Sequence, residues 1–396
     1  MTDIICGGLF GDEGKGVTTD YYASKYNDSL VIRYNSSAQA SHTVTTPDGR
    51  RHAFSHFGSG SFNNSKTYLS KYFSSHPMLF FKEKEILNKL GVNPIVYADS
   101  KGIISVPYDV LINQILEQSR GNNRHGSCGI GFNETVERNL IDEFSIKIEH
   151  LPYKDHLIYV LEKIRKEYVP KRMEALGIIE HYEPNKNMFD SDNILYNFMG
   201  DLLDYKKSII IDEESTSIVK STENIIFEGA QGLLLDENSK YFPHVTRSST
   251  GLKNVVDIAN TFGIDELNVN YIARCYITKH GNGPMPFECE KPYENIVDLT
   301  NIPNDWQGSL RFAPFNFDLL NEAISNDLKH KENYKGTITT NLVVTCLDQV
   351  DENIRVILND SEIVMEKHNF IILLKEKYSN LILSYGPTRE TIVLTT

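Results

Sequence analysis

The stretch that most constrains this chain is its start. A short apolar run, Ile4 to Cys6, passes directly into Gly7-Gly8-Leu9-Phe10-Gly11-Asp12-Glu13-Gly14-Lys15-Gly16. Glycines placed after a strand let backbone N–H groups close on phosphate oxygens with no Cβ in the way, and Lys15 adds a point charge. The spacing is not that of a Walker A loop, because Gly16 follows the lysine where Ser or Thr is required. A tight strand-to-helix turn would use the same glycines, so the loop alone leaves both readings open. The acidic pair Asp12-Glu13 is foreign to a bare phosphate cradle. It fits if Asp12 meets a metal ion or takes a proton from a substrate.

A second strand, Leu30 to Tyr34, follows a polar helical stretch, and together they begin a βαβ unit. It runs into Asn35-Ser36-Ser37-Ala38-Gln39-Ala40-Ser41-His42-Thr43. A lone His42 is more often a hydrogen-bonded structural residue than a catalyst, but here its loop shares a βαβ unit with the glycine loop. A third strand ends in Phe227-Glu228-Gly229-Ala230-Gln231-Gly232 and presents Glu228 and Gln231 at its tip. An amide that donates and accepts suits a purine edge. Pro243-His244-Val245-Thr246 follows within reach.

Further short apolar strands are expected at 208–211, 271–277, 342–346 and 381–383, most running into glycine or polar loops. This is how a largely parallel central sheet reads. Helical spacing is expected over 107–119, 150–175 and 186–206, and 351–380 reads as a peripheral antiparallel excursion with a helix. No linker divides the chain. The fold class is α/β, one large domain around a mostly parallel sheet with helical (about 107–206) and small antiparallel insertions.

A net charge of −13 argues against a dedicated nucleic-acid binder, yet a local cradle still binds a small anion. Five cysteines without a C-x-x-C pair argue against a zinc site or a disulfide framework. The N-terminus has no basic start or apolar h-region, and no apolar run approaches the length of a membrane span. A cytoplasmic protein is expected.

Taken in order, GDEGKG at 11–16, RY with a loop ending in HT at 42–43, FEGAQG with LLD at 227–236, P-x-VT at 243–246, GNGP at 281–284 and SYGPTRET at 384–391 resemble the adenylosuccinate synthetase family. The resemblance covers nearly the whole chain. It implies a P-loop-NTPase-like sheet and a ligase that joins L-aspartate to the 6-position of a purine nucleoside monophosphate, driven by ATP or GTP with Mg²⁺. It further implies that Asp12 takes the N1 proton and binds the metal with the carbonyl of Ser41, that His42 acts as an acid toward the phosphoryl group, and that Lys15 stabilises it. The triphosphate would lie on Gly11, Glu13, Gly14, Lys15, Gly16, His42, Thr43, Asp348, Ser384, Gly386 and Pro387. The purine nucleotide would lie on Asp12, Gln39, Ser127, Gln231 and Thr246, with Arg138 reaching it from the partner subunit of a homodimer. Gln307, Ser309 and Arg311 would hold the aspartate.

Four ligand loops depart from the family pattern. Gln39 replaces an asparagine. Ser309 stands where the family's aspartate loop has an arginine that also touches the ribose 2′-OH, leaving Arg311. Cys346 replaces the lysine of the guanine-reading T-K-L-D, and Thr388 the aspartate of G-P-D. With Asp12, Lys15 and His42 kept, these changes suggest altered ligands on unchanged chemistry. A phage-associated branch of the family joins aspartate to dGMP using ATP in making 2-aminoadenine, and the expectation leans to that pair. IMP with GTP is the alternative, and a purine-nucleotide-binding protein without ligase activity is the second.

Overall fold

The computed structural model describes residues 1–121, 127–301, 308–378 and 380–395. Its centre is a ten-stranded sheet. The strands, in chain order, are β1 (Thr2–Gly7), β2 (Leu30–Arg33), β3 (Lys66–Leu69), β4 (Val96–Asp99), β5 (Ile210–Asp212), β6 (Ile225–Gly232), β7 (Glu266–Arg274), β8 (Thr337–Thr345), β9 (Leu381–Ser384) and β10 (Ile392–Thr395). Their spatial order is β10-β9-β8-β7-β1-β6-β2-β3-β4-β5. Every pairing is parallel except β9 with β10. Strands covered on both faces must be apolar throughout, which is why β1 and β2 are buried along their whole length.

A four-stranded sheet (Tyr276–Lys279, Arg311–Asn316, Asn353–Leu358, Ser361–Glu366) and a hairpin (His42–Thr45 with Arg51–Phe54) stand beside it. One apolar core packs the β1, β6, β7 and β8 side chains against helices Leu252–Phe262 and Phe317–Asp327. A second joins helices Pro77–Lys89, Pro107–Ser119 and Asp192–Ser208. No described helix is long and apolar enough to cross a membrane.

Several elements differ from their sequence expectation for local reasons. The expected helix over 150–175 is Lys154–Lys163, a π-helical turn at Ile164–Tyr168, then Val169–Ala175. Pro170 has no N–H to give to the preceding turn, and the wider turn absorbs the missing bond. The stretch 186–206 is two helices, Tyr182–Phe189 and Asp192–Ser208, the second capped by Ser191 accepting from the Ile194 N–H at 3.4 Å. The expected strand 271–277 is divided at Cys275 between β7 and the smaller sheet. Strand β7 begins earlier, at Glu266, through polar residues; Asn341 Nδ2 on β8 donates to Asn268 Oδ1 at 2.8 Å and Asn270 Oδ1 at 2.9 Å.

Arg138 corrects a site expectation. It is fully buried in helix Phe132–Asn139. Its Nε donates to Asp109 Oδ1 at 2.8 Å, Nη2 to Asp109 Oδ2 at 2.9 Å and to the Ile104 carbonyl at 2.8 Å, and Nη1 to the Phe144 carbonyl at 2.7 Å. A guanidinium so consumed does not reach a partner's nucleotide; it clamps the helical layer instead. Removing one member of a buried ion pair strands the other charge. Arg138→Met is therefore expected to cost about 3–5 kcal/mol in urea unfolding, with the nucleotide affinity of the protein that stays folded unchanged.

Candidate active site

The loops that leave the carboxyl ends of β1, β2 and β6 converge on one cleft of about 710 Å³. This is where open parallel sheets place ligands. The glycine loop lines it from Gly11 to Gly16, facing Gln39 to Thr43. Gly14 has φ +98°, and a Cβ there would lie 3.0 Å from Thr345 Cγ2. A Cβ on Gly16 would sit 2.5 Å from the Thr43 carbonyl oxygen. The glycine loop and the hairpin can therefore approach only through a bare backbone.

Two charges of this loop turn inward. Glu13 is 3% exposed and its Oε1 accepts from the Leu9 N–H at 2.7 Å. Burial raises its carboxyl to about 7, against the pull of Lys15. Lys15 is also buried, with Nζ 4.0 Å from Glu13 Oε2. Asp12, at φ +56°, keeps its carboxylate in the cleft, where His280 Nε2 lies 3.3 Å from Oδ2. The Asp12 carbonyl accepts from Arg274 Nε, and Arg274 Nη2 pairs with Asp298 at 2.9 Å. His280 and Arg274 carried no sequence signal of their own: both lie more than two hundred and fifty residues from Asp12.

His42 is braced from behind. Its Nδ1 lies 2.8 Å from Glu228 Oε1, while Nε2 is buried and unpartnered. Glu228 thus does not stand at the strand tip, as its sequence position suggested, but is completely buried; it also accepts from the Ser59 N–H at 2.9 Å and from the Ser59 hydroxyl. Burial holds His42 at about 4, against the attraction of Glu228. Burial pushes Glu228 up, but His42, Arg33 and Ser59 outweigh it and hold the carboxyl at about 2. In the ligand-free fold the pair is a neutral imidazole donating Nδ1–H to a carboxylate, which leaves a lone pair on Nε2.

The other walls bring in Ser127, Gln231 and Thr246. Gln231 sits at φ +62° with a buried, unpartnered Oε1, and Gln39 likewise has an unpartnered Oε1. Ser127 Oγ donates to Asn113 Oδ1 at 3.0 Å and accepts from the Gly129 N–H at 3.1 Å. Asp348, Ser384, Gly386 and Pro387 do not line the cleft. They occupy adjoining loops, joined by Leu347 N–H to the Ser384 carbonyl at 3.2 Å and set beside the glycine loop by Thr345 Oγ1 donating to the Glu13 carbonyl at 2.8 Å. Arg389, in the loop after β9, pairs at 3.0 Å with buried Asp20 of helix Lys15–Ala23. Of the expected aspartate seat, Gln307 lies outside the described residues and Ser309 is exposed. Arg311 donates to the Gly281 and Gly283 carbonyls at 2.9 Å each and pairs with Glu288.

A glycine cradle opposed to an imidazole, at the switch point of a parallel sheet, is the architecture of a nucleotide-binding α/β protein. Residues 4–310 match the model of the adenylosuccinate synthetase family, and the chain belongs to that family. It is 30% identical over 300 residues to adenylosuccinate synthetase of Clostridium perfringens, covering 72% of this chain and 65% of that protein. The Clostridium botulinum (strain 657) enzyme is 29% identical over 295 residues, with the same coverage. The match thus spans a little under two thirds of these curated relatives.

Among solved structures, the fully ligated adenylosuccinate synthetase of Plasmodium falciparum superposes with a TM-score of 0.76 at 18% identity, covering 100% of this chain and 99% of the other. Succinoaminodeoxyadenylate synthetase of cyanophage S-2L, bound to dGMP and to dATP as an energy donor, gives 0.63 at 13% identity, with 100% and 95% coverage. Both share the fold.

The dyad has a pH signature. Glu228 is held below an unfolded carboxyl near 4.3 and His42 below an unfolded imidazole near 6.5. Both shifts are downward, so the unfolded chain binds more protons and the pair's stabilisation is lost as pH falls. The stability cost of Glu228→Gln, measured by urea unfolding, should be full at pH 7 and should shrink as pH falls through about 4.3 toward 2.

Proposed function

We propose that this protein joins L-aspartate to C6 of a purine nucleoside monophosphate through a 6-phosphoryl intermediate, driven by a nucleoside triphosphate. One observation carries the reading: Asp12 and His42, from the loops after β1 and β2, open with the glycine cradle into a single cleft. Asp12 takes the proton from purine N1, and the electron density released makes O6 a nucleophile toward the γ-phosphorus. The O6–P bond forms as the bond to the β-phosphate oxygen breaks and the diphosphate leaves. The aspartate amine then adds at C6, the C6–O6 bond breaks as inorganic phosphate leaves, and the amine's extra proton passes to the departing phosphate.

His42 faces the group in transfer. Its Nδ1 is committed to Glu228, so only Nε2 is left for substrate. Phosphate charge at that point favours a proton on Nε2, which then donates to the transferring oxygens. Gly14 and Gly16 bring backbone N–H groups to the same oxygens.

The residues present fit a Mg²⁺ ion. Asp12 offers a hard carboxylate whose one side-chain partner among the described residues is His280, and the exposed Ser41 lines the same cleft. A magnesium site needs few protein ligands, since phosphates and water complete it. The ion would offset phosphate charge.

The acceptor reading leans to dGMP with ATP. Ser309 lacks the guanidinium expected near a ribose 2′-OH, and Cys346 lacks the ammonium expected at guanine of the triphosphate. The cyanophage neighbour holds dGMP and dATP. IMP with GTP is the alternative, favoured by retained Asp12 and by the curated relatives. A homodimer remains part of the reading, though without Arg138 as a bridging residue.

Phosphate release should be measured with IMP and dGMP against ATP and GTP, each with and without aspartate. The expected result is aspartate-dependent release with dGMP and ATP. Turnover of IMP alone would sink the dGMP reading, and nucleotide binding without release under every combination would sink the ligase. Asp12→Asn should lower kcat by about 10²–10⁴ while leaving purine nucleotide affinity within several-fold.

A further inference from the structure

We propose that Lys279 supplies the second cation of the amine-donor seat, taking a carboxylate of the donor where Ser309 leaves the expected arginine absent. The inference rests on the ligase reading and adds to it a residue that determines donor specificity.

Lys279 ends strand Tyr276–Lys279 and lies directly opposite Arg311 in the antiparallel ladder. Residues opposed in this way project to one face, with Cβ atoms about 4.5–5.5 Å apart. Like charges so placed repel, and the arrangement costs stability unless an anion lies between them. Glu288 pairs directly with Arg311 and attracts Lys279 only from beyond ion-pair distance.

Lys279 is 1% exposed, and among the described residues its ammonium donates to two carbonyl oxygens, that of His280 at 3.4 Å and that of Asn282. Among the described residues no carboxylate comes within 4.0 Å of it. Buried charges are paired or lose their charge. Burial, with Arg311 adding to it, draws this ammonium down to about 8. Yet Lys279 lines the cleft beside Gly281 and Asn282, and Phe10 lies below it at 5.8 Å. A desolvated cation that faces a ligand cleft with no directly paired carboxylate among the described residues is completed by an anion from the ligand. The triphosphate has the glycine cradle and the purine monophosphate the wall of Ser127 and Thr246; the anion left over beside Lys279 is the carboxylate of the donor. Arg311 takes the other carboxylate.

The test varies aspartate at saturating purine nucleotide and triphosphate in wild type, Lys279→Met and Lys279→Arg. Losing one charge-assisted contact should raise KM for aspartate about tenfold or more in Lys279→Met. Lys279→Arg should recover most of it, and the KM values of both nucleotides should stay within about twofold. The preference for aspartate over alanine should shrink in parallel, a change that a merely loosened fold would not produce. An aspartate KM within about twofold of wild type in Lys279→Met, or an equal rise in the nucleotide KM values, overturns the assignment.

If wild type releases no phosphate with aspartate, the ligase reading falls by itself. Calorimetric titration of aspartate into nucleotide-loaded wild type and Lys279→Met then decides the seat. Weaker binding in the variant supports it, and equal binding or none overturns it.

Discussion

The Glu228 carboxylate is the point on which the site depends. It sits at zero exposure on β6, between β1 and β2, and charges are kept there only when every oxygen is occupied. Its partners come from three different segments: the His42 imidazole at the start of the hairpin, Ser59 in the turn that follows the hairpin, and the field of Arg33 at the end of β2. One buried charge therefore fixes the height of the hairpin over the sheet. The hairpin in turn fixes Thr43 against Gly16, and so the shape of the glycine loop. The catalytic reading of His42 and the packing of the βαβ unit share one constraint.

How much was legible in the chain follows distance along it. Asp12, Lys15 and Gly16 act through their neighbours in one loop, and glycine spacing after an apolar strand announces such a loop directly. Gln231, near the carboxyl end of β6, and Thr246, in the long loop that follows it, line the same cleft. The central strands β1, β2 and β6 could be found because burial on both faces demands unbroken apolar runs. Strands β3 and β4, four residues each with polar members, offer too short a pattern to separate from loop. The amino-terminal half of β7 was hidden by asparagines that pair with one another across the ladder, a contact that exists only once the strands are side by side.

Long-range charge pairing explains the remaining differences. Arg138 is expected from the family resemblance to reach a partner's nucleotide, while its actual partner Asp109 lies on another helix with no shared motif. Lys279 reads as one lysine among many; only the ladder that sets it opposite Arg311 makes two cations out of two unrelated sequence positions. His280 and Arg274 reach Asp12 in the same way, through sheet order. In each case the sequence holds the residue type but not the neighbour, and in electrostatics the neighbour decides the role.

The pairing of Arg389 with Asp20 bears on the chain as a whole. Asp20 belongs to the helix whose first residue is Lys15, so the guanidinium near the chain's end holds the back of the helix that presents the cradle at its front. The loop after β9 and the loop after β1 are thus tied to the same helix. The segment after β9 braces, through one ion pair, the helix that opens on the glycine loop.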